Sequence, residues 1–276
     1  MSDSKQLSFL DINAKVSFTT SETVSGAVNE TVIEIGGLTK EKMGYLATSC
    51  SLWVPNYIQN QITLEAGYNN LYGTIFDGDV IEAIPSVDSA DYSIKLKCLS
   101  FYQSLVNDTA SFSFEGSFPL SEMLKVLADR LNLIFINNLT DEVYIENYMY
   151  KDQSLIQHIR NLSQITGLDI FSSKGKLIVK EKGEPVKEGS TFQVNYTNLI
   201  GAPEPTPLGA NVKIRLNPSV STGQKVNLTS IKFPTLNGDT YVIQTFSHSG
   251  DTKGSKWQTN LTLIRQDIYE NSYAKL

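Results

Sequence analysis

The sequence predicts a mainly β protein of the α+β class, in which one β-rich module occurs twice around a small α+β unit. Alternating apolar and polar residues indicate strands within 61–98, and a similar series returns within 225–264. Between these regions, apolar residues recur at helical spacing. Matching positions of the two series are Ile62 with Val226, Gly73 with Gly238 and Ile94 with Leu261. The three predicted domains span residues 1–105, 106–188 and 189–276.

The first module is predicted to consist of strands interrupted by one short helix. Thr39 is a candidate N-cap for a helix over residues 39–47, because a threonine hydroxyl can accept a backbone N–H of the first turn. The predicted strands lie at 14–18, 31–35, 61–84 (two strands that meet at a polar turn) and 92–98.

The middle of the chain contains two segments with helical periodicity, and a short apolar strand follows each of them. One helix runs from about residue 120 to 131, with Ser121 near its start. A second helix has Ser154 as a candidate N-cap and Gly167 as a stop. The following strands are predicted at 133–136 and 168–171, and the last hairpin turns at 172–175. The residues predicted to be buried together are Leu124, Leu127, Ile159 and Leu162.

Strands return from Phe192 onward. The prolines within 202–207 and at Pro218 indicate an extended connection or a sheet edge, since proline cannot donate to a ladder.

The composition favours a folded protein and disfavours binding to nucleic acids or membranes as its main function. Apolar residues make up 41% of the 276 residues, enough for buried cores, and the net charge of −6 disfavours binding to phosphates or anionic lipids. No stretch has the length and apolarity of a membrane span, so no membrane anchor is predicted, and the first residues lack the pattern of a signal peptide. Cys50 and Cys98 are therefore expected as buried free thiols, although they could pair if their strands were neighbours.

Histidine chemistry has few candidates, because the chain has two histidines. His248 with Ser249 and Asp251 has the residue types of a hydrolytic triad, but three groups in one turn cannot easily face each other. His158 lies between apolar positions of a helix and is expected to be structural. We predict no catalytic, cofactor-binding or metal-binding residues and no cofactor.

Three further groups of residues suggest alternatives. The acidic run at Asp77, Asp79 and Glu82 could suggest a calcium-binding loop. These residues lead directly into an apolar strand, however, which favours a tight turn over a calcium site. Glu142 with Glu146 could form a glycosidase pair. The tyrosines that could form a sugar-stacking face, or a protein interface, are Tyr68, Tyr72, Tyr144, Tyr148 and Tyr150.

Several segments together resemble the baseplate hub proteins of bacteriophage tails. In the first module these are Ile33-Glu-Ile-Gly-Gly-Leu38, Ile62-Thr-Leu-Glu-Ala-Gly-Tyr68 and Thr74-Ile-Phe-Asp-Gly-Asp-Val80. In the last they are Leu199-Ile-Gly-Ala-Pro203, Leu216-Asn-Pro218, Asn237-Gly238, His248-Ser-Gly-Asp251 and Trp257. The resemblance covers nearly the whole chain in the same order, without an appended lysozyme-like or peptidase domain.

This resemblance implies two tail-tube-like antiparallel β-barrels per subunit and a homotrimer with a pseudo-sixfold ring. Such a hub joins the hexameric tail tube, or its distal initiator, to a trimeric tip spike, and the tape-measure protein ends in its channel. DNA would pass the lumen without specific binding, which the negative net charge suits. The expected location is the tail tip or baseplate of a virion, after assembly in the bacterial host cytoplasm.

Two other functions remain open from the residues alone. A tail-associated cell-wall hydrolase would need a convergent acid–base pair, and a host-glycan-binding β protein would need clustered exposed aromatic side chains. A hub of another contractile injection machine shares the implied architecture. Under the hub hypothesis, His158→Ala and His248→Ala are expected to leave assembly and infectivity largely intact.

Overall fold

The computed structural model describes residues 15–24, 28–49, 60–69, 71–88, 91–106 and 108–268, and these form a mainly β protein, as predicted. The first elements are β1 (Lys15–Thr23), β2 (Glu30–Leu38), α1 (Lys40–Ser49), β3 (Gln61–Tyr68), β4 (Leu71–Asp88) and β5 (Asp91–Leu99). The central elements are α2 (Tyr102–Val106), β6 (Thr109–Ser113), β7 (Ser117–Pro119), α3 (Leu120–Arg130), β8 (Ile134–Asn137), β9 (Tyr144–Glu146), β10 (Met149–Ser154), α4 (Leu155–Thr166), β11 (Asp169–Ser173) and β12 (Lys176–Lys180). The last are β13 (Phe192–Val194), β14 (Glu204–Thr206), β15 (Gly209–Arg215), β16 (Lys225–Leu228), a 3-10 turn (Pro234–Leu236), β17 (Thr240–Asp251) and β18 (Trp257–Arg265).

Strands from both ends of the chain form one sheet of eleven strands. Its order is β14-β15-β18-β17-β1-β2-β5-β4-β3, with β16 pairing β17 and β13 pairing β16. β1 joins the two regions, because it pairs antiparallel with β2 on one side and with β17 on the other. The two predicted barrels are thus not separate sheets, and no closed barrel is found among the described residues.

The two β regions have the same strand order within this sheet. In the first β unit (β1–β5), the neighbours are β1, β2, β5, β4 and β3. In the second β unit (β14–β18), they are β14, β15, β18, β17 and β16. Each unit therefore connects five strands in the same way, which supports the repetition predicted from the sequence.

The pairing register repeats as well. β3 and β4 pair at Gln61 with Asp79, Ile62 with Gly78 and Thr63 with Asp77. β16 and β17 pair at Lys225 with Val242, Val226 with Tyr241 and Asn227 with Thr240. Immediately after these pairs, a β-bulge shifts the register in both units, between Val80 and Glu82 in β4 and between Ile243 and Thr245 in β17. Ile62 and Val226 are therefore equivalent, as predicted.

The other two sequence matches are displaced. Gly73 lies inside β4 opposite Ala66, whereas Gly238 precedes β17. Phe246 in β17 and Ala83 in β4 lie at the same distance beyond the bulge of their strand. Phe246 pairs with Leu261 and Ala83 pairs with Leu96, so the equivalent of Leu261 is Leu96 rather than Ile94. A strand with alternating apolar residues looks the same after a shift of two, so sequence alone does not distinguish these registers.

The central region has its own apolar core between two helices and a small sheet. β12 pairs antiparallel with β11 and parallel with β8, and α3 and α4 pack against this sheet. All four residues predicted for this core are buried in one cluster: Leu124, Leu127, Ile159 and Leu162. The hairpin between β11 and β12 turns at Lys174 and Gly175, both with positive φ, which matches a two-residue primed turn.

The helix ends follow local sequence signals with one exception. Lys42 N donates to Thr39 Oγ1 and Gln157 N donates to Ser154 Oγ, so both predicted caps are confirmed. Gly167 ends α4 in the left-handed region, at φ 70°. The N-cap residue of α3 is Pro119, and Glu142 instead accepts from both the N–H and the hydroxyl of Ser121.

Candidate functional site

His158 is a structural residue of the central core. Its side chain is fully buried, with Nδ1 2.9 Å from the Tyr148 hydroxyl and Nε2 2.9 Å from the Ala110 carbonyl oxygen. A carbonyl oxygen only accepts, so Nε2 carries the proton and Nδ1 accepts from Tyr148. The Phe112 ring packs edge-on against the imidazole at 4.8 Å. Both ring nitrogens are used inside the core, which leaves neither for a substrate.

His248 does not assemble with its neighbours into a triad. It lies near the end of β17, where successive side chains point to opposite faces of the sheet, so Ser249 and Asp251 point away from it. The Asp251 carboxylate accepts from the backbone N–H groups of Lys253 and Gly254, and His248 Nδ1 lies 2.8 Å from Thr259 Oγ1. The hydrolytic arrangement drawn from the sequence is therefore not present.

The protonation behaviour of His248 also differs from that of a general base. The side chain is 1% exposed, and burial, followed by the positive charge of Lys174, lowers its pKa to about 4. A general base works best with a pKa near the working pH, so this imidazole is a weak proton acceptor at neutral pH.

The acidic candidates have separate structural partners. Asp77 accepts from Thr63 at 2.8 Å, and Glu82 forms an ion pair with Lys97 at 2.5 Å. Asp79 is buried in β4. Within the described ranges, no group of three or more His, Cys, Asp or Glu side chains could hold a metal ion.

Glu142 and Glu146 do not line a cleft. Both are exposed, and the Glu142 carboxylate caps α3 through Ser121. Glu146 lies on β9, paired with Ser117 of β7. This arrangement has the geometry of a helix cap rather than of a glycosidase pair.

The tyrosines do not form one stacking face. Tyr148 is buried against His158, and Tyr150 packs on Tyr148 at 4.7 Å. Tyr68 and Tyr72 instead lie at the tip of the β3–β4 hairpin, far along the chain from Tyr144 on β9, and all three are exposed. Because the Tyr148 side chain is buried in the central core, the five tyrosines do not form a common exposed platform for a sugar.

The cysteine expectation is tested in part. Cys98 is fully buried in β5, as expected, whereas Cys50 lies outside the described residues.

A groove of about 500 Å³ is lined by residues of β1, β2 and β5 and of the hairpin between β17 and β18. Its lining is Ser17, Phe18, Thr19, Val32, Glu34, Lys95, Gly250, Asp251, Gly254, Ser255 and Lys256. This lining mixes acidic and basic side chains and has no histidine or cysteine. None of the described helices has the length and apolarity needed to span a bilayer.

The junction between the two β units is held together by strand pairing and by aromatic packing. β1 and β17 form seven residue pairs, from Ser17 with Asp251 to Thr23 with Thr245. The rings of Phe18 and Trp257 meet edge-on at 5.5 Å, and Trp257 Nε1 donates to the Gly67 carbonyl oxygen at 3.2 Å. The end of β3 thus reaches the start of β18, which means that the sheet curls around the first core.

A polar contact also ties the junction together. Glu22 of β1 accepts from Thr222, in the loop before β16, and from Asn29 Nδ2. Burial raises the pKa of the Glu22 carboxyl. Neither Glu22 nor Phe18 stands out in the sequence, because each occupies an ordinary position in an alternating strand; only the pairing of β1 with β17 reveals them.

The comparisons with known proteins agree with a tail component. The family model described as Baseplate hub gp41 matches residues 1–261. No curated protein sequence matches the chain.

Solved structures show a similar fold at low sequence identity. The 43 kDa tail protein of prophage MuSo2 from Shewanella oneidensis has a TM-score of 0.61 at 11% identity, covering 92% of this chain and 94% of that chain. The tail protein from Neisseria meningitidis MC58 has a TM-score of 0.59 at 9% identity, covering 91% and 92%. The E. coli c3393 protein, a type VI secretion component with structural similarity to the T4 tail proteins gp27 and gp5, has a TM-score of 0.61 at 12% identity, covering 91% and 73%. These likenesses concern the fold alone.

Proposed function

Because the chain belongs to the Baseplate hub gp41 family, we propose that it is the structural, non-catalytic hub of a phage tail tip, built as a homotrimer with a pseudo-sixfold ring. The ring would continue a hexameric tail tube, or its distal initiator, on one side and meet a trimeric tip spike on the other. It would join the virion tail after assembly in the bacterial host cytoplasm.

The repeated strand order is the observation that carries this proposal. The first and second β units connect five strands in the same order and share a bulge at the same place. Three chains with two such units each present six similar modules, whereas features that occur once per chain, such as the central α+β unit, are presented three times. This arrangement suits an adaptor between sixfold and threefold partners.

The proposed channel would hold the end of the tape-measure protein and later pass DNA without binding it. The net charge of −6 favours this role, because an acidic protein repels phosphates. The absence of a catalytic role is supported by the two histidines, each of which is buried and hydrogen-bonded within the fold.

Oligomeric state tests the proposal. Size-exclusion chromatography with light scattering is expected to give the mass of three 30.6 kDa chains, and electron microscopy is expected to show a ring with a central opening. A protein that stays monomeric over a wide concentration range would overturn the hub. In fluorescence anisotropy, a labelled DNA duplex is expected to show no saturable binding at physiological salt.

A further inference from the structure

We infer that one face of the large sheet, carried by β1, β17 and β18 and turned away from the core, lines the channel of the hub and lets a DNA duplex pass without retaining it. This inference rests on the proposed homotrimer and assigns the surface that faces its channel. It also assigns the chemistry of that surface, which the net charge of the whole chain does not reveal.

The strand registers separate two faces of this part of the sheet. Directly paired residues lie on the same face, and successive residues of one strand lie on opposite faces. The core face carries Phe18, Phe246 and Leu261, all of which are buried. The other face, called the polar face from here on, carries two rows of paired residues: Thr19–Ser249–Gln258 and Ser21–Ser247–Asn260.

The side chains of the polar face are hydroxyl and amide groups. A third row, Thr23–Thr245–Thr262, continues the first two. Neighbouring strands are linked across this face, since Asn260 Nδ2 donates to Ser247 Oγ and Thr245 Oγ1 donates to Thr23 Oγ1, both at 3.2 Å. Eight of the nine residues are at least partly exposed, so the rows contact water in the single chain.

Charged side chains return only at the borders of the polar face. On one side Glu30 of β2 pairs with Ser21, and on the other side Lys213 of β15 pairs with Asn260. Without charges, the rows form no ion pairs with phosphates, and ion pairs are what gives proteins a salt-dependent hold on DNA. A duplex that touches the polar face is therefore not retained by it.

The polar face also lacks the features of a permanent protein contact. The centre of such a contact is usually apolar and rich in aromatic side chains, whereas the three rows contain no purely apolar side chain. Exposed apolar side chains lie outside the three strands, for example Tyr196 at 79% and Ile231 at 82%. Covering the polar face would remove hydroxyl and amide groups from water for little apolar gain, so it is expected to stay in water after assembly.

The central α+β unit packs behind the sheet, on its core face. Val24 N donates to the Gln244 carbonyl oxygen, which continues the β1–β17 ladder by one residue. Alternation from Phe18 places Val24 on the core face. There its side chain is buried with Phe171 of β11 and Ile178 of β12. The central unit and the polar face thus lie on opposite sides of β1.

This arrangement decides which face points inward in a ring. Three central units inside the ring would fill its opening, so they belong outside, and the polar face then points to the channel. The sheet runs from the first β unit into the second through β1, which makes the wall continuous within each chain. In a trimer the polar face occurs three times around the channel.

Added lysines test where the polar face lies. Ser21 and Thr262 are both exposed, so the longer side chain has space at each position. We expect the full-length variant Ser21→Lys/Thr262→Lys to stay trimeric and to bind linear duplex DNA at least about tenfold more tightly than wild type at low salt. A closed circular duplex has no end to thread into a channel, so the same variant should not bind it. Gel-shift titrations with one plasmid, linearised or closed, measure both.

The matched control places the same charge on the central unit. Thr140 and Gln164 are exposed there, and Thr140→Lys/Gln164→Lys also adds two lysines per chain. Any binding gained by this variant should be equal for linear and closed DNA, because an outer surface needs no DNA end. Wild type should bind neither form.

A size test gives an independent measurement. Ser21→Cys and Gln164→Cys are each expected to react with a small maleimide–biotin reagent in the folded trimer, above the background of wild type. Streptavidin should capture the biotinylated Gln164→Cys trimer. It should capture the Ser21→Cys protein only after the trimer is unfolded, because a globular protein does not enter the channel.

The outcomes separate this inference from the proposed function. A trimeric lysine variant that binds closed and linear DNA alike, or neither, would overturn the channel wall and leave the hub standing. A Ser21→Cys trimer that streptavidin captures as readily as the Gln164→Cys trimer, or that the small reagent does not label, would do the same. A monomeric wild-type protein would overturn the trimer, and the channel wall with it.

Discussion

His248 occupies a position at which an imidazolium ion is unfavourable. Its ring is buried, with Nδ1 against Thr259 Oγ1, and burial lowers its pKa to about 4, compared with about 6.5 in an unfolded chain. A folded-state pKa below the unfolded value means that the unfolded chain binds more protons in this range. The contribution of His248 to stability is therefore complete above about pH 6.5 and is lost as the pH falls towards about 4.

We predict that His248→Asn flattens the acid side of the stability profile. The wild-type free energy of unfolding should fall by up to about 3 kcal/mol more than that of the variant between pH 6.5 and 4. Urea titrations at several pH values measure this difference. Thr259→Val, which removes the hydrogen-bond partner but keeps the histidine, should retain the wild-type slope. Equal slopes for His248→Asn and wild type would contradict the low pKa.

His158 is predicted to matter for stability and not for turnover. His158→Ala removes one hydrogen-bond partner each from the Tyr148 hydroxyl and the Ala110 carbonyl in the core, and a buried polar group left unsatisfied costs about 1–3 kcal/mol. From the sequence we expect this substitution to leave assembly and infectivity largely intact, and the burial of His158 adds a cost in stability. Thermal unfolding measures the loss, with the exposed Lys151→Ala as a surface comparison. Peptidoglycan hydrolysis by wild type that disappears in a folded His158 variant would instead revive the hydrolase.

At the scale of elements, the helices of the central unit depend on one buried face. Leu127 is fully buried on α3, whereas its neighbour Val126 is 43% exposed. We predict that Leu127→Ala lowers the free energy of unfolding by about 2–5 kcal/mol, because it removes apolar contacts and leaves a cavity. Val126→Ala is the matched control and should change it by less than about 0.5 kcal/mol. Similar losses for both variants would mean that the assigned face is wrong.

The start of α4 depends on a single hydroxyl. Ser154 Oγ accepts from Gln157 N at 3.2 Å, so Ser154→Ala leaves a first-turn N–H without its cap. We predict a loss of about 1 kcal/mol in the free energy of unfolding. Ser154→Asp keeps an acceptor at this position and should restore most of the stability in the same denaturant titration. No difference between the alanine and aspartate variants would exclude a role for the cap.

At the scale of the whole molecule, the two β units are joined where little space is left. A Cβ atom added at Gly250 would lie 2.5 Å from Phe18 Cζ and 2.7 Å from Trp257 Cε3. Phe18 belongs to the first β unit and Trp257 to the second, so an added methyl group would push the units apart. The absence of a side chain at Gly250 is therefore a condition for this junction.

Gly250→Ala is predicted to destabilise the whole chain by about 1–3 kcal/mol through overpacking at this junction. Tryptophan fluorescence should report the change near Trp257, and calorimetry should show a lower midpoint. Gly44→Ala on α1, where an added Cβ meets no atom within 4 Å, should be neutral or slightly stabilising. A Gly250→Ala protein as stable as wild type would show that the junction is looser than the structure indicates.

Local patterns in the sequence were sufficient for the elements themselves. The caps at Thr39 and Ser154, the stop at Gly167 and the buried face with Leu124 and Leu127 all follow from backbone geometry within a few residues. The repetition of a β module was also visible, since equivalent strands keep similar alternation. Two of the three matched positions were nevertheless displaced, because a period of two does not specify the register.

Tertiary structure alone decided which strands are neighbours and which polar groups meet. Nothing near residues 15–23 indicates that β1 pairs with β17, more than two hundred residues away, rather than closing a barrel with its own unit. The same pairing places Glu22 beside Thr222 and brings Thr20 next to His248. Local periodicity determines which face of a strand is apolar, but the choice of partner depends on how all the edges of the sheet are covered at once, and no single segment carries that information.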